Sequence, residues 1–144
     1  MPQILLIDDD DAVRGVLARI LRDAGHVVTD FASARSALAA ADTRAFDVVM
    51  TDVLMPDMDG VEVIRAFARR CPRPRLIAMT GGSSTLAMDI LAMAPALGAD
   101  GVIAKPVRAK DLVAAVAAVL DLARPQTPAA SAPGACQPSP ASAR

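Results

Sequence analysis

The chain has 144 residues, a net charge of −1 and 53% hydrophobic residues, many of them alanine. That length can hold one domain with a real core. The near-neutral charge argues against polyanion binding, and an aromatic set of only Phe31, Phe46 and Phe67 argues against stacking on nucleic-acid bases.

Cys71 and Cys136 do not make a secreted disulfide framework, and nothing reads as a signal peptide or a membrane span. A cytoplasmic protein with no nucleic-acid or membrane partner is therefore expected. In chain order, QILLI (3–7) reads as a buried strand running directly into four aspartates, Asp8 to Asp11. Carboxylates a few ångströms apart repel by about 4 kcal/mol per pair at an effective dielectric of about 20. Either these charges fan out into water or something positive sits among them. Val13, Val16, Leu17, Ile20, Leu21 and Ala24 follow at helical spacing, and Gly25 suits the residue just past a helix end. HVVTDF (26–31) is a second strand, and Ser33 caps an alanine-rich helix reaching about Ala41. DVVMT (47–51) is the third strand, and Val61, Ile64, Phe67 and Ala68 form the stripe of a third helix. PRLIAMT (74–80) holds the fourth strand. Ser83 or Ser84 can cap a fourth helix, which Pro95 should end or kink. GVIA (101–104) is the fifth strand, and Leu112, Val116, Val119, Leu120 and Ala123 mark the last helix. From Pro125 the composition turns to Pro, Ala and Ser without periodicity. The reading is thus a domain over 1–124 and a disordered tail over 125–144, too short and polar to be a DNA-binding module.

Five β-α units in a row predict an α/β fold: a doubly wound, five-stranded parallel sheet with helices on both faces. The flavodoxin-like (βα)5 strand order 2-1-3-4-5 is the expected topology, with ligands beyond the carboxyl ends of the strands at the switch point between the first and third. The polar residues at those ends are Asp8 and Asp9, Asp52, Thr80 and Lys105. Three acids converging on one pocket suit a divalent cation, and Mg²⁺ takes such oxygen ligands, keeps waters and shares phosphate oxygens. A carboxylate can attack phosphorus, and Asp52, central at the end of the third strand, is the best nucleophile candidate. The Lys105 ammonium and the Thr80 hydroxyl can each serve a phosphoryl oxygen. Lys105 and Lys110 are the only lysines against 13 arginines, so an ammonium before Pro106 at a strand end suggests a point-charge role. Asp10 and Asp11 are assigned to the helix start.

The segments LLIDDDDAVR, VVMTDVLMPDMDGVEVIR, AMTGG and GADGVIAKP closely resemble the receiver domain of bacterial two-component response regulators, over residues 3–122. The resemblance implies that Asp52 is the phosphoacceptor, that Asp8 and Asp9 are the metal-binding pair, and that the Leu54 backbone carbonyl is a further metal ligand. Thr80 and Lys105 look like the switch hydroxyl and the phosphate-pairing lysine, and the Lys105–Pro106 peptide is expected to be cis. Implied partners are a sensor histidine kinase or a histidine phosphotransfer protein as donor. A downstream protein target would be reached through the face of the fourth helix, fifth strand and fifth helix. This implies a stand-alone, chemotaxis- or phosphorelay-like receiver, monomeric or a weak dimer, that holds the phosphoryl group and loses it slowly rather than turning over as an enzyme. Val102 stands where such receivers usually carry Tyr or Phe, which excludes an aromatic rotamer switch. Gly81, Gly82 and Leu54 offer no polar side chain to orient water, so a long-lived phosphorylated state is expected.

Competing readings meet specific obstacles. A haloacid-dehalogenase-type phosphatase needs a carboxylate two residues after the nucleophile, where this chain has Leu54. A flavodoxin-like cofactor binder needs a phosphate-binding first loop, where this chain has four acids. A docking-only pseudo-receiver would not need all five site residues. PDMDG (56–60) partly mimics a calcium loop but puts Met55 and Ala66 at its first and twelfth positions, so a turn and helix start fits Asp57, Asp59 and Gly60 better. Met88 and Met93 are read as core, His26 as inert in a turn, and Cys71 as a loop residue.

Overall fold

The apolar runs pair side by side as parallel strands, a pairing that needs crossover connections over the sheet rather than tight hairpins. The computed structural model describes residues 1–53, 60–70, 73–81, 89, 92, 93, 95, 96 and 98–122. In chain order these form β1 (Gln3–Ile7), α1 (Asp11–Asp23), β2 (Val27–Phe31), α2 (Ala34–Thr43), β3 (Val48–Asp52), α3 (Gly60–Ala68), β4 (Arg75–Thr80), β5 (Gly101–Ala104) and α4 (Ala109–Asp121). The five strands make one parallel sheet in the order β2-β1-β3-β4-β5, as expected for the flavodoxin-like topology. No helix among the described residues is long and apolar enough to cross a membrane.

Alternation along the strands sends side chains to two separate cores. Leu5, Ile7, Val49, Leu76 and Ala78 pack with Ala34 and Ala37 of α2, Val63, Ile64 and Phe67 of α3, and Phe46. Ile4, Leu6, Val48, Met50, Ile77, Met79 and Ile103 pack on the other face with Leu17, Ala18 and Leu21 of α1 and Leu112, Val116 and Val119 of α4. Buried on both sides, the central strands read as continuous apolar runs rather than as alternation.

The caps follow the sequence closely. Asp10 is the α1 N-cap and accepts from the backbone amides of Ala12 at 3.0 Å and Val13 at 3.1 Å. Asp11 is the first helical residue and pairs instead with Arg14. Past the helix end Gly25 adopts φ +98, a conformation that side chains with a Cβ rarely adopt, and the His26 amide bonds back to the Leu21 carbonyl. Ser33 caps α2, accepting from the Ser36 amide.

Three expectations are corrected. The third strand is shifted by one residue, starting at Val48 and including Asp52, because Asp52 keeps register with Met79 of β4. Val16 and Ala24 do not face the core: the buried stripe of α1 runs through Leu17, Ala18 and Leu21, and Val16 is 59% exposed. Met93 is not core either but 53% exposed. Pro95 and Ala96 are helical and Gly98 lies in a turn, while Ala94 and Leu97 lie outside the described residues. The Ser83 or Ser84 cap, Leu54, Asp57, Asp59, Cys71, Met88, Ala123 and the tail over 125–144 lie outside the described residues.

Candidate functional site

The carboxyl ends of β1, β3, β4 and β5 bring the predicted site residues to one edge of the sheet. Asp8 follows directly after β1, Asp52 ends β3, Thr80 ends β4 and Lys105 follows β5. Carboxylate oxygens of Asp8, Asp9 and Asp52 all lie within 4.8 Å of one another. Asp8 and Asp52 are buried while Asp9 is exposed, so the cluster opens to solvent on the Asp9 side.

Such a cluster needs positive charge, and in this structure Lys105 supplies part of it. Its ammonium donates to Asp8 Oδ2 at 2.6 Å and to Asp52 Oδ2 at 2.8 Å. Burial by itself pulls the Lys105 ammonium toward losing its proton. The hydrogen bonds and charges of Asp52 and Asp8 outweigh that and raise its pKa above the ordinary lysine value. The other Asp8 oxygen, Oδ1, accepts the Asp10 amide at 2.9 Å. The Lys105 amide itself bonds to the Thr80 carbonyl at 2.7 Å, and the Lys105–Pro106 peptide is cis as expected. The β4 end is thereby tied to the lysine.

Thr80 is buried, and its Oγ1 has no hydrogen-bond partner among the described residues. A buried hydroxyl without a partner costs about 1–3 kcal/mol, so a group that accepted from Thr80 Oγ1 would recover that cost. The donor set fits Mg²⁺ on the same kind of ground. Three carboxylates and one ammonium leave a formal surplus of two negative charges, and all the offered carboxylate ligands are hard oxygens. Chemically, the arrangement can hold a divalent cation beside a carboxylate, with one ammonium and one hydroxyl within the same strand-end cluster.

Sequence reasoning gave no role to Arg14. It lies in the first turns of α1, and its guanidinium reaches the Asp8 backbone carbonyl at 2.8 Å. The available signal was the spacing of three from Asp11, an ordinary helical ion pair. The contacts to Asp8 and to Asp30 on β2 need the tertiary fold. Val102 is 39% exposed on β5, on the opposite side of the strand from buried Ile103.

Comparison with known proteins gives a consistent picture. The model of the response regulator receiver domain family matches residues 4–117. The chain is 36% identical over 120 residues to the transcriptional regulatory protein AfsQ1 of Streptomyces coelicolor, covering 83% of this chain and 52% of that protein. It is 34% identical over 113 residues to the response regulator receiver protein CpdR of Brucella abortus, covering 78% of this chain and 92% of that one. This chain thus spans about half the length of AfsQ1 and about a quarter of the DNA-binding transcriptional regulator NtrC of Klebsiella pneumoniae, but most of CpdR. Among solved structures, the chemotaxis protein CheY4 of Vibrio cholerae superposes with a TM-score of 0.74 at 30% identity, covering 83% of this chain and 98% of that one. A CheY-like receiver domain protein of Methanospirillum hungatei gives 0.74 at 32% identity, covering 84% and 94%.

Proposed function

The chain belongs to the response regulator receiver family of two-component signalling, and from that premise we propose that it is a Mg²⁺-dependent phosphoacceptor with Asp52 as the acceptor residue. The observation that carries the proposal is the convergence of the Asp8, Asp9 and Asp52 carboxylates within 4.8 Å of one another. A bound Mg²⁺ would offset the charge of these carboxylates and of a phosphoryl oxygen. Asp8 and Asp9 would hold it together with Asp52 and the Leu54 carbonyl.

An Asp52 carboxylate oxygen attacks phosphorus, a new O–P bond forms, and the P–N bond to the donor imidazole breaks. The electron pair leaves with the ring nitrogen, and the aspartyl-phosphate remains. Lys105 already touches Asp52 at 2.8 Å, so its ammonium can follow the charge onto a phosphoryl oxygen. The Thr80 hydroxyl, without a partner among the described residues, donates to another oxygen. Water later cleaves the acyl phosphate to restore Asp52 and release phosphate. That step is slow because no polar side chain at Leu54, Gly81 or Gly82 orients the water, and the protein acts stoichiometrically rather than as an enzyme.

The donor is a phosphohistidine on a sensor histidine kinase or a histidine phosphotransfer protein. Output is a change in protein binding through the face of the predicted fourth helix, β5 and α4, transmitted without an aromatic at Val102. Intact mass after treatment with acetyl phosphate tests the proposal. The expected result is a gain of one phosphoryl group that needs Mg²⁺ and disappears in Asp52→Asn. Labelling that persists in Asp52→Asn, or no labelling with Mg²⁺ present, overturns it.

A further inference from the structure

The four consecutive aspartates divide their work, and the residue that organises them is Arg14. Each nitrogen of its guanidinium has a different target. Nη1 donates to the Asp8 carbonyl at 2.8 Å, Nη2 to Asp11 Oδ1 at 2.6 Å, and Nε to Asp30 Oδ2 at 3.0 Å. Its side chain is only 16% exposed, whereas that of Asp11 is 83% exposed. The Asp30 carboxylate is in turn 3.4 Å from Arg22, and the neighbouring Phe31 carbonyl accepts the Asp8 amide at 3.1 Å. The start of α1, the acidic loop and β2 are therefore tied through one planar cation.

The consequence falls on Asp9. Its carboxylate is exposed, so packing does not fix it. Its backbone is held from both sides. The Asp8–Asp9 peptide is planar, and its carbonyl is gripped by Arg14. The next amide, that of Asp10, is gripped by Asp8 Oδ1 at 2.9 Å. We propose that Arg14 is a positioning residue that sets Asp9, and with it Asp8, in the geometry needed to bind a divalent cation. This rests on the phosphoacceptor reading of the same site. A planar guanidinium is required rather than charge alone, since three acceptors in three directions are each met by a different nitrogen.

Mg²⁺ affinity of the full chain, measured by calorimetry without any phosphodonor, tests this. The variants are Arg14→Met, Arg14→Lys and Asp30→Asn, each with its thermal melt recorded in parallel. Outer partners of metal ligands typically tune affinity by about 10–100-fold, so Arg14→Met is expected to bind at least about tenfold more weakly. Arg14→Lys should recover little of that. Asp30→Asn, which weakens only the outer anchor, should lose affinity too, but less than Arg14→Met. Unchanged affinity in Arg14→Met despite a lowered melting temperature would make Arg14 a purely structural staple and overturn the proposal. Full recovery by Arg14→Lys would overturn it as well. If Arg14→Met does not fold, wild-type affinity in Asp30→Asn overturns it instead. Mg²⁺ binding by the wild type that is lost in Asp9→Asn, with all Arg14 and Asp30 variants binding normally, sinks the positioning role alone. No Mg²⁺ binding by the wild type sinks the phosphoacceptor reading and the positioning role together.

Discussion

Lys105 Nζ lies 2.6 Å from Asp8 and 2.8 Å from Asp52, so a single ammonium spans the tips of two adjacent strands from a third that is two strands further along the sheet. Those carboxylates belong to the candidate cation site, so the lysine and a cation would compete for the same two side chains.

Replacing the lysine separates stability from binding. Lys105→Met leaves buried Asp8 and Asp52 side by side without their shared counter-charge. Without Mg²⁺ it is expected to be less stable by about 3 kcal/mol in urea unfolding. Its Mg²⁺ affinity should rise, by about tenfold for each 1.4 kcal/mol of relieved repulsion, while phosphorylation slows. Calorimetric titration that finds weaker Mg²⁺ binding in this variant would contradict the competition.

The same ion pair has a defined pH window. The Lys105 pKa is raised on folding, so its contribution is fully present below the unfolded-state value near 10.5 and fades as pH climbs through the higher folded-state value. The stability difference between wild type and Lys105→Met in Mg²⁺-free buffer should therefore stay flat from neutral pH to about 10 and shrink above that. Urea titrations across this range check it, and a difference that already shrinks below pH 9 would argue against it.

Thr80→Ala removes a buried hydroxyl that has no partner among the described residues. Stability in the unphosphorylated state is expected to hold or to rise by up to about 1 kcal/mol. The transfer rate should fall about tenfold, the worth of one charge-assisted hydrogen bond of about 1.5 kcal/mol. A clear loss of unphosphorylated stability in thermal melts would show that the hydroxyl is already satisfied.

Two glycines of one helix region should respond in opposite directions. Gly15 lies inside α1 with nothing within 4 Å of an added Cβ, and Gly15→Ala should stabilise by about 0.5–1 kcal/mol. Gly25 holds φ +98 past the helix end, and Gly25→Ala should destabilise by about 1 kcal/mol although space is open there too. Circular dichroism melts of the two variants give the comparison directly.

Much of this was legible in the sequence because the relevant signals are local or periodic. The strands β1 and β5, the Ser33 and Asp10 caps and the Gly25 stop come from short patterns, and right-handed crossovers narrow the strand order to a few topologies, of which the commonest at this size is the one found. The assembly of Asp8, Asp9, Asp52, Thr80 and Lys105 at one edge follows from their places at strand ends, once the order is known. What was not legible depends on the angle between elements. Val16 has the same spacing credentials as Leu17, and only the tilt of α1 against the sheet decides which is covered. Arg14 could be seen as a partner of Asp11, but its reach to Asp8 and Asp30 requires β2 beside β1. Lys105 could be matched to a phosphoryl group. Its pairing with the two carboxylates in the unphosphorylated chain required the distance between three strand tips.

The sheet divides the interior into two apolar halves, and the aromatic residues are distributed unevenly between them. Phe46 and Phe67 are buried on the α2–α3 side, and Phe31 packs against the same cluster. The half built on α1 and α4 contains none. Ring-current shifts and near-ultraviolet dichroism will accordingly watch one side of the molecule and be blind to the other. Loosening of α1, the helix that begins at the acidic loop, would pass unseen by any phenylalanine reporter, and methyl resonances of Leu17, Leu21, Leu112 or Val116 are the place to look for it.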